Sequence, residues 1–226
     1  MGTNEKAAPA RRPRDSAATK ELLLDAATTE FADFGLAGAR IDRIAERAGA
    51  NKRLLYVYFG DKDQLFEAVL QRQISKLARE TPLVEGDLVA YAAARFDFML
   101  AHPETARLAA WIRFERRDHW SQKEVDSYQT KVETVAAAQR DGRLCDDIPA
   151  VDLFAMVLRL TESWLDAPPA LAATTGTDPF SARRLAEHRA ALLDAVRRIA
   201  APAPPTSRTT QTCHEGHKAC PSQPGT

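Results

Sequence analysis

Several features are scarce or missing in this sequence of 226 residues. No apolar run approaches the roughly 18 residues that cross a bilayer, and the polar, basic first twenty residues lack the apolar segment of a secretory signal. The three cysteines, Cys145, Cys213 and Cys220, are too few to indicate a disulfide framework. We therefore expect a cytoplasmic protein in a reducing compartment, with no membrane partner.

Motifs that would indicate an enzyme are missing as well. There is no phosphate-binding loop, no GxSxG and no HExxH, and no cysteine of the predicted folded region has a histidine near it. We expect no catalytic activity and no cofactor. The alternative, a small helical enzyme, would reveal itself by turnover of a specific substrate.

One segment near the end of the chain has the residue types of a zinc site. Cys213 and Cys220 bracket His214 and His217. The segment follows a proline-rich stretch and lies among small polar residues that cannot build a core. Isolated short Cys/His tracts are only compositional hints. The composition favours a disordered tail over 201–226 with no metal site, and metal binding is the alternative.

The charge of the chain balances overall but not locally. Lys and Arg number 31, as do Asp and Glu, which argues against a protein that coats DNA through a general positive charge. Positive charge is concentrated in residues 1–20 and 37–62, as a localised DNA contact requires. We expect residues 1–16 to form a flexible basic arm. Its arginines either solubilise the chain or enter the minor groove.

Helical spacing of apolar residues dominates the sequence, and β-type alternation is nearly absent. The predicted fold class is all-α, with about nine helices. Gly35 closes the first helix, and Pro82 with Gly86 ends the fourth, which is long enough to link two domains. The later helices are predicted to begin near Asp87, Pro103, Ser121, Leu153 and Asp178–Pro179.

Residues 41–62 contain the most informative pattern. Ile41, Ile44, Ala45 and Ala48 form one buried stripe, and Gly49 then ends the helix. Asn51 can cap a second short helix that carries polar side chains outward. Two helices joined by so tight a turn predict a helix-turn-helix, whose second helix fits the major groove of DNA. Asp61 and Gln64 form a predicted capping box for the next helix.

This stretch resembles the DNA-binding domain of the tetracycline-repressor (TetR) family of bacterial regulators. The resemblance covers about 50 residues. It rests on Ile44, Ala45, Ala48, Gly49, Leu54, Tyr56, Tyr58, Phe59, Lys62 and Leu65. It implies a dimeric one-component repressor with an N-terminal three-helix DNA-binding domain, here 17–63. It also implies a C-terminal helical domain, here 64–200, that binds a small molecule and dimerises. Arg40, Ala50 and Arg53 depart from the usual family pattern.

The candidate DNA contacts lie in and around the predicted recognition helix. We expect Arg53 to contact a guanine edge, since Arg is suited to bidentate contact with that base. We expect Leu55 to point outward to a thymine methyl, and Arg40 to contact the backbone or the minor groove. Tyrosine hydroxyls and the first turn at Lys62 are candidate phosphate contacts. The full set is Arg40, Asn51, Lys52, Arg53, Leu55, Tyr56, Tyr58 and Lys62. The alternatives are a solvated face for the cations and core packing for the aromatic rings.

Large apolar residues mark the C-terminal domain. Each is a candidate for lining a ligand cavity, although such residues are more often plain core. They are Phe96, Met99, Trp111, Phe114, Trp120, Phe154 and Trp164. The resemblance implies that the last two helices form a dimer interface, through Leu153, Val157, Leu160, Leu185, Leu192 and Val196.

These observations together predict a homodimeric repressor of a palindromic operator in double-stranded DNA. A small effector, lipophilic or aromatic, would release it. The alternatives are an activator of the same fold, and a helical ligand-binding module without DNA function. Steep salt dependence of DNA binding would distinguish the last of these.

Overall fold

The computed structural model describes residues 13–115 and 121–202, and every regular element in those ranges is an α-helix. The segments predicted as a basic arm and as a Cys/His tail lie, apart from residues 13–16 and 201–202, outside the described residues. The helices are α1 (Pro13–Gly38), α2 (Ile41–Arg47), α3 (Lys52–Phe59), α4 (Lys62–Glu80), α5 (Leu88–Ala101), α6 (Pro103–Glu115), α7 (Gln122–Arg140), α8 (Ala150–Glu162), α9 (Pro169–Ala173) and α10 (Ala182–Ala200). The all-α fold class is confirmed.

The first four helices share one hydrophobic core. Leu23 and Phe31 of α1, Ile44 of α2 and Phe66 of α4 are almost completely buried in it. The rings of Phe31 and Phe66 meet edge to face with centroids 4.9 Å apart, which is a favourable aromatic geometry. Burial of each such side chain stabilises the fold by about 1.5–3 kcal/mol. This core fixes where α3 stands relative to α1.

The second core lies among α5, α7, α8 and α10. Phe96 of α5, Val135 of α7, Val157 of α8 and Val196 of α10 are buried in it. Helix α4 contacts both units. Phe66 and Ile74 pack in the first core, and Ile74 and Leu77 also line a cavity together with Tyr91 of the second core. One continuous helix of 19 residues therefore joins the two cores.

The predicted helix caps are confirmed. The Asn51 side chain accepts from the Arg53 N–H at 2.8 Å. Asp61 with Gln64, and Ser121 with Glu124, form complete capping boxes at α4 and α7. Each satisfies backbone N–H groups that a helix start leaves unpaired. These local signals therefore locate the starts of three helices correctly.

Some boundaries differ from the sequence prediction. Helix α1 already begins at Pro13, within the segment expected to be an arm, and α9 is an additional short helix. The last helix begins at Ala182 instead of Asp178–Pro179. There the Asp178 carboxylate accepts from the Phe180 N–H at 2.9 Å, so this residue shapes a turn before the helix. Among the described residues, no helix combines the length and apolarity that a membrane span needs.

Candidate nucleic-acid interface and internal cavity

The turn between α2 and α3 is held by backbone hydrogen bonds. Gly49 has φ 58°, and its N–H donates to the Glu46 carbonyl at 3.0 Å, while the Ala50 N–H donates to the Ala45 carbonyl at 3.0 Å. This pair of bonds is the Schellman arrangement that closes a helix at a left-handed residue. Asn51 begins α3 immediately afterwards. The turn and its backbone hydrogen bonds therefore set the direction of α3 together with the packing of α3 on the core.

One face of α3 is open to solvent. It carries Lys52, Arg53, Tyr56 and Val57, a set with helical spacing. Tyr56 is 49% and Val57 66% exposed. An exposed face that combines two cations, a phenol and an apolar side chain suits the major groove, where base edges, phosphates and thymine methyl groups are all accessible.

Leu55 differs from its prediction. It is only 3% exposed and belongs to the core of α1–α4, so it does not face DNA. The reason is helical spacing, because Leu55 and Phe59 are four residues apart on the inward side. Val57 is the apolar residue that points outward. Its spacing of four residues from Arg53 is the signal that would have identified it.

The cations around α3 are not equivalent. Lys52 Nζ lies 2.7 Å from Asp42 Oδ1 across the turn, and this hydrogen bond raises the pKa of Lys52. Arg40 and Arg53 are exposed, and within the described ranges no hydrogen bond or ion pair holds either guanidinium. Arg53 is therefore the cation of α3 that is free to contact a ligand.

Two predicted phosphate contacts have partners within the chain. The Tyr58 hydroxyl lies 3.2 Å from Ser16 Oγ, and the ring is partly buried. Lys62 Nζ donates to the carbonyls of Ala37 and Ala39, at 3.4 Å each. In this structure Tyr58 of α3 and Lys62 of α4 thus form contacts with α1 and with the residues that follow it.

Sequence reasoning missed the buried carboxylate of Glu30. This side chain is fully buried, and its Oε1 accepts from the Arg40 N–H at 2.9 Å and from Arg43 Nε at 2.7 Å. Glu30 thus occupies the start of α2, where Arg40 provides no side-chain cap. Its position four residues after Ala26 and seven after Leu23, on the buried stripe of α1, was the available signal.

Comparisons with known proteins identify the group to which this architecture belongs. Residues 23–69 match the model of bacterial regulatory proteins of the tetR family, and residues 87–198 match that of the tetracyclin repressor-like C-terminal domain. The HTH-type transcriptional repressor SCO4008 of Streptomyces coelicolor is 38% identical over 160 residues, which cover 69% of this chain and 82% of that protein. The chain belongs to the TetR family.

Two further relatives extend the comparison. The crystal structure of the regulator SCO4942 of Streptomyces coelicolor superposes with a TM-score of 0.72 at 33% identity, covering 80% of this chain and 98% of that one. The HTH-type transcriptional activator FasR of Mycolicibacterium smegmatis is 45% identical over 67 residues, 30% of each chain. This TetR-family chain is thus a helix-turn-helix transcriptional regulator.

The large apolar residues of its C-terminal domain differ in environment. Phe96, Met99, Phe154 and Trp164 are buried, so they form core, and Met99 also borders a void of only about 10 Å³. Phe114 is 81% exposed, so the prediction that it lines an enclosed site is wrong. Trp120 lies outside the described residues.

Trp111 belongs to the contact between α6 and α1. Its Nε1 donates to the Ala32 carbonyl at 3.1 Å, and Glu115 accepts from the Leu36 N–H at 2.9 Å. Between them, Gly35 interrupts α1 with φ 66° and ψ −178°. Trp111 therefore joins the C-terminal domain to the DNA-binding domain, and its predicted place in a ligand cavity stays a prediction.

A partly open cavity of about 50 Å³ lies between α4, α5 and α7. Its polar lining includes Tyr91, Arg95, Tyr128 and Lys131, none of which was a sequence candidate. The apolar wall from α4 is formed by Ile74, Leu77 and Ala78. Burial raises the pKa of Tyr91, and burial together with Arg95 lowers the pKa of Lys131. These residues come from three helices, so no local motif announces them.

A larger groove of about 800 Å³ lies between the α4–α5 connection and the end of α10. Gly86, Leu88, Arg143 and Ala200 are among its walls, and none of its lining residues belongs to α1–α4. A ligand in this groove would therefore not touch any of the helices α1–α4. The smaller cavity, by contrast, is bounded by α4.

The residues predicted to form a dimer interface lie mostly inside the subunit. Leu153, Val157, Leu192 and Val196 are at most 3% exposed and belong to the second core. Leu160 and Leu185 are partly buried against the same core. The apolar stripes of α8 and α10 are thus used to pack these helices on each other and on α5. The prediction that Leu153, Val157, Leu192 and Val196 face a partner is wrong, because they are already buried in the subunit. For Leu160 and Leu185 it stays a prediction.

Proposed function

We propose that this TetR-family protein is a homodimeric repressor that binds a palindromic operator through α3 and releases it when a small molecule enters the C-terminal domain. The observation that carries the proposal is the exposed face of α3, where Arg53 has no competing partner among the described residues. The resemblance to a named repressor over 82% of its length supports the sign of regulation.

Operator binding by two copies needs a fixed spacing. Recognition helices must lie about 34–36 Å apart to enter successive major grooves. The outward faces of α8 and α10 are the candidate contact between copies. Val151 is 56% and Met156 48% exposed on α8, and Ala186 and Ala190 are exposed on α10. Small residues on one helix and apolar residues on the other allow close approach of paired helices.

The dimer proposal has a direct test. Met156→Glu introduces a charge at the centre of the candidate contact and should convert dimers to monomers in sedimentation experiments. Leu171→Glu is the control, because Leu171 is a comparably exposed apolar residue, 53%, on α9. A Met156→Glu protein that remains as dimeric as the control would exclude this face.

Effector coupling follows from the position of α4. Its side chains enter the core of α1–α4 at one end and bound the 50 Å³ cavity at the other. A molecule that wedges between α4 and α7 would displace α4, and the displacement would reach the core of α1–α4 through the same helix. Lowering operator affinity 100-fold needs about 2.7 kcal/mol of differential binding, an ordinary coupling.

The test of DNA binding is a gel-shift titration on palindromic DNA from upstream of the gene. Arg53→Ala should lose about 1–3 kcal/mol of operator affinity per half-site. Lys52→Ala should lose less, because Lys52 already has Asp42 as an exposed partner. Arg79→Ala is the matched control, an exposed arginine in the last turn of α4.

The outcomes separate the proposed function from its alternatives. Affinity of Arg53→Ala equal to that of Arg79→Ala would refute the contact assignment. A ligand-binding module without DNA function would show no steep loss of DNA affinity as salt rises, whereas several phosphate contacts produce one. A reporter gene whose expression falls when the regulator is deleted would identify an activator instead.

A further inference from the structure

The cavity between α4, α5 and α7 is surrounded by hydrogen-bond donors. Tyr91 and Arg95 project from α5, and Tyr128 and Lys131 from α7. Phenol, guanidinium and ammonium groups all donate, and the two cations cannot accept. The one carboxylate in the lining, Glu124, accepts from the Ser121 N–H and hydroxyl at 3.1 and 3.0 Å. Both of these bonds go to Oε2, and the lining thus has one carboxylate against two cations and two phenols.

Positive charge is also in excess next to the cavity. Arg95 is 6% exposed and donates to Glu162 at 2.8 Å. That carboxylate is shared, because Arg113 lies 3.5 Å from it and Arg159 bonds it as well. The same two arginines also contact Asp166. Three guanidiniums thus share two carboxylates, and Glu162 is not free to neutralise the cavity.

Lys131 adds a further positive charge without a carboxylate. Its Nζ donates to Ser127 Oγ at 2.8 Å and lies over the Tyr128 ring, 5.7 Å from the centroid. In residues 13–115 and 121–202 it forms no ion pair. Burial and the neighbouring Arg95 lower the pKa of this ammonium, which means that its surroundings disfavour the charge. An anion beside Lys131 would relieve that cost.

The remaining walls are apolar or aromatic. Ile74, Leu77 and Ala78 line one side, and the rings of Tyr91 and Tyr128 lie within 5.5 and 6.4 Å of Phe154. We infer that the cavity binds a small organic acid, with its carboxylate between Arg95 and Lys131 and its aromatic or short aliphatic body against α4. This assignment of ligand class rests on the proposed function, which requires an effector at this place.

The size of the cavity agrees with this arrangement. A carboxylate fits in a space of about 50 Å³, since about 10–15 Å³ measured in the same way is enough for one water. We expect the body of the acid, which extends beyond this space, to press α4 away from α7. The carboxylate end of the ligand is thus recognised by Arg95 and Lys131, and its other end displaces α4.

The test is calorimetric titration of the full-length protein with benzoate, phenylacetate and octanoate. The three corresponding neutral amides and benzylamine serve as comparisons of matched shape. Carboxylates should bind saturably, and each amide about tenfold more weakly or worse, because a charge-assisted hydrogen bond is lost. Lys131→Met should weaken the carboxylates about tenfold and leave the amides within about twofold. Lys131→Arg should restore binding.

Lys123→Met is the control, because Lys123 lies on α7 as well, and its exposed side chain bonds Ser75 Oγ at 3.2 Å. It should bind the acids like the wild type. The ligand-free Lys131→Met protein should melt at the same temperature as the wild type or higher, since a poorly solvated charge is removed. A clear loss of thermal stability would contradict an ammonium that lacks a carboxylate partner.

Three results would overturn the inference: no binding by any of the acids, benzylamine binding as tightly as benzoate, or acids bound equally well by Lys131→Met. Operator binding measured without any acid tests the proposed function separately. Protein that binds operator but none of the acids refutes only the ligand class. Protein that binds acids through Lys131 but no DNA refutes only the regulatory role.

Discussion

Gly35 provides the sharpest test of how the DNA-binding head is joined to the C-terminal domain. It interrupts α1 with φ 66° and ψ −178°, a conformation that residues with a Cβ avoid. A Cβ built there would lie 2.7 Å from Glu115 Oε1 and 2.9 Å from Trp111 Cε3. Neither neighbour can yield freely, because Glu115 accepts from Leu36 and Trp111 donates to Ala32.

The expected cost of Gly35→Ala has two parts. The backbone conformation costs about 1–3 kcal/mol for a residue with a side chain. Overpacking against α6 adds about 1–3 kcal/mol. The free energy of unfolding should therefore fall by about 2–6 kcal/mol. A chain of this size loses about 2–4 °C in Tm per kcal/mol, so a large shift is expected.

Gly49→Ala is the comparison variant, because it carries a backbone cost without any contact with α6. Gly49 also has positive φ, 58°, but nothing lies within 4 Å of the position that its Cβ would take, so only a backbone cost of about 1–2 kcal/mol applies. Urea and thermal unfolding of both variants measure the difference. If Gly35→Ala is no more destabilising than Gly49→Ala, then α6 does not press on α1 as described.

Three further predictions concern single side chains. Glu30→Gln removes the negative charge that pairs with Arg43 and with the start of α2. The free energy of unfolding in urea should fall by about 1.5–3 kcal/mol. A fall below about 0.5 kcal/mol, the usual range for a surface substitution, would contradict this role. Asn51→Ala removes the cap of α3 and should cost about 1 kcal/mol; an Asn51→Ser protein, which keeps a capping oxygen, should recover most of it. Burial, with a smaller effect of Arg184, lowers the pKa of His188. As pH falls, His188 therefore binds a proton in the unfolded chain before it does so in the folded protein. The free energy of unfolding should fall as pH drops below about 6.5. In His188→Gln the corresponding part of this pH dependence should disappear, and an unchanged pH profile would argue against it.

The cap and turn signals were sufficient to predict the helix-turn-helix. Gly49, Asn51 and the Asp61–Gln64 pair act within a few residues of themselves, so their structural roles are visible in the sequence. The prediction for Leu55 failed because its direction depends on which side of α3 meets α1. A helix of eight residues offers too few positions to fix that side by periodicity alone.

The C-terminal domain was predicted less well, for a physical reason. Apolar stripes on α8 and α10 can pack inside a subunit or against a second copy, and both uses need the same residues. The structure assigns Val157 and Val196 to the inside. Aromatic size was likewise a poor guide to a cavity, because Phe96 is buried in the core, whereas its neighbour in sequence, Arg95, lines the cavity between α4, α5 and α7.

The sequence by itself determined the helical class, the order of most helices and the turn that presents α3, because periodicity, capping and glycine conformation are local properties. Only the tertiary structure decided which cations stay free, which carboxylate is buried and which side chains from three helices meet around one cavity. Those outcomes depend on residues as distant in sequence as Arg95 and Glu162, which are 67 positions apart. Only the packing of whole helices can bring such pairs together.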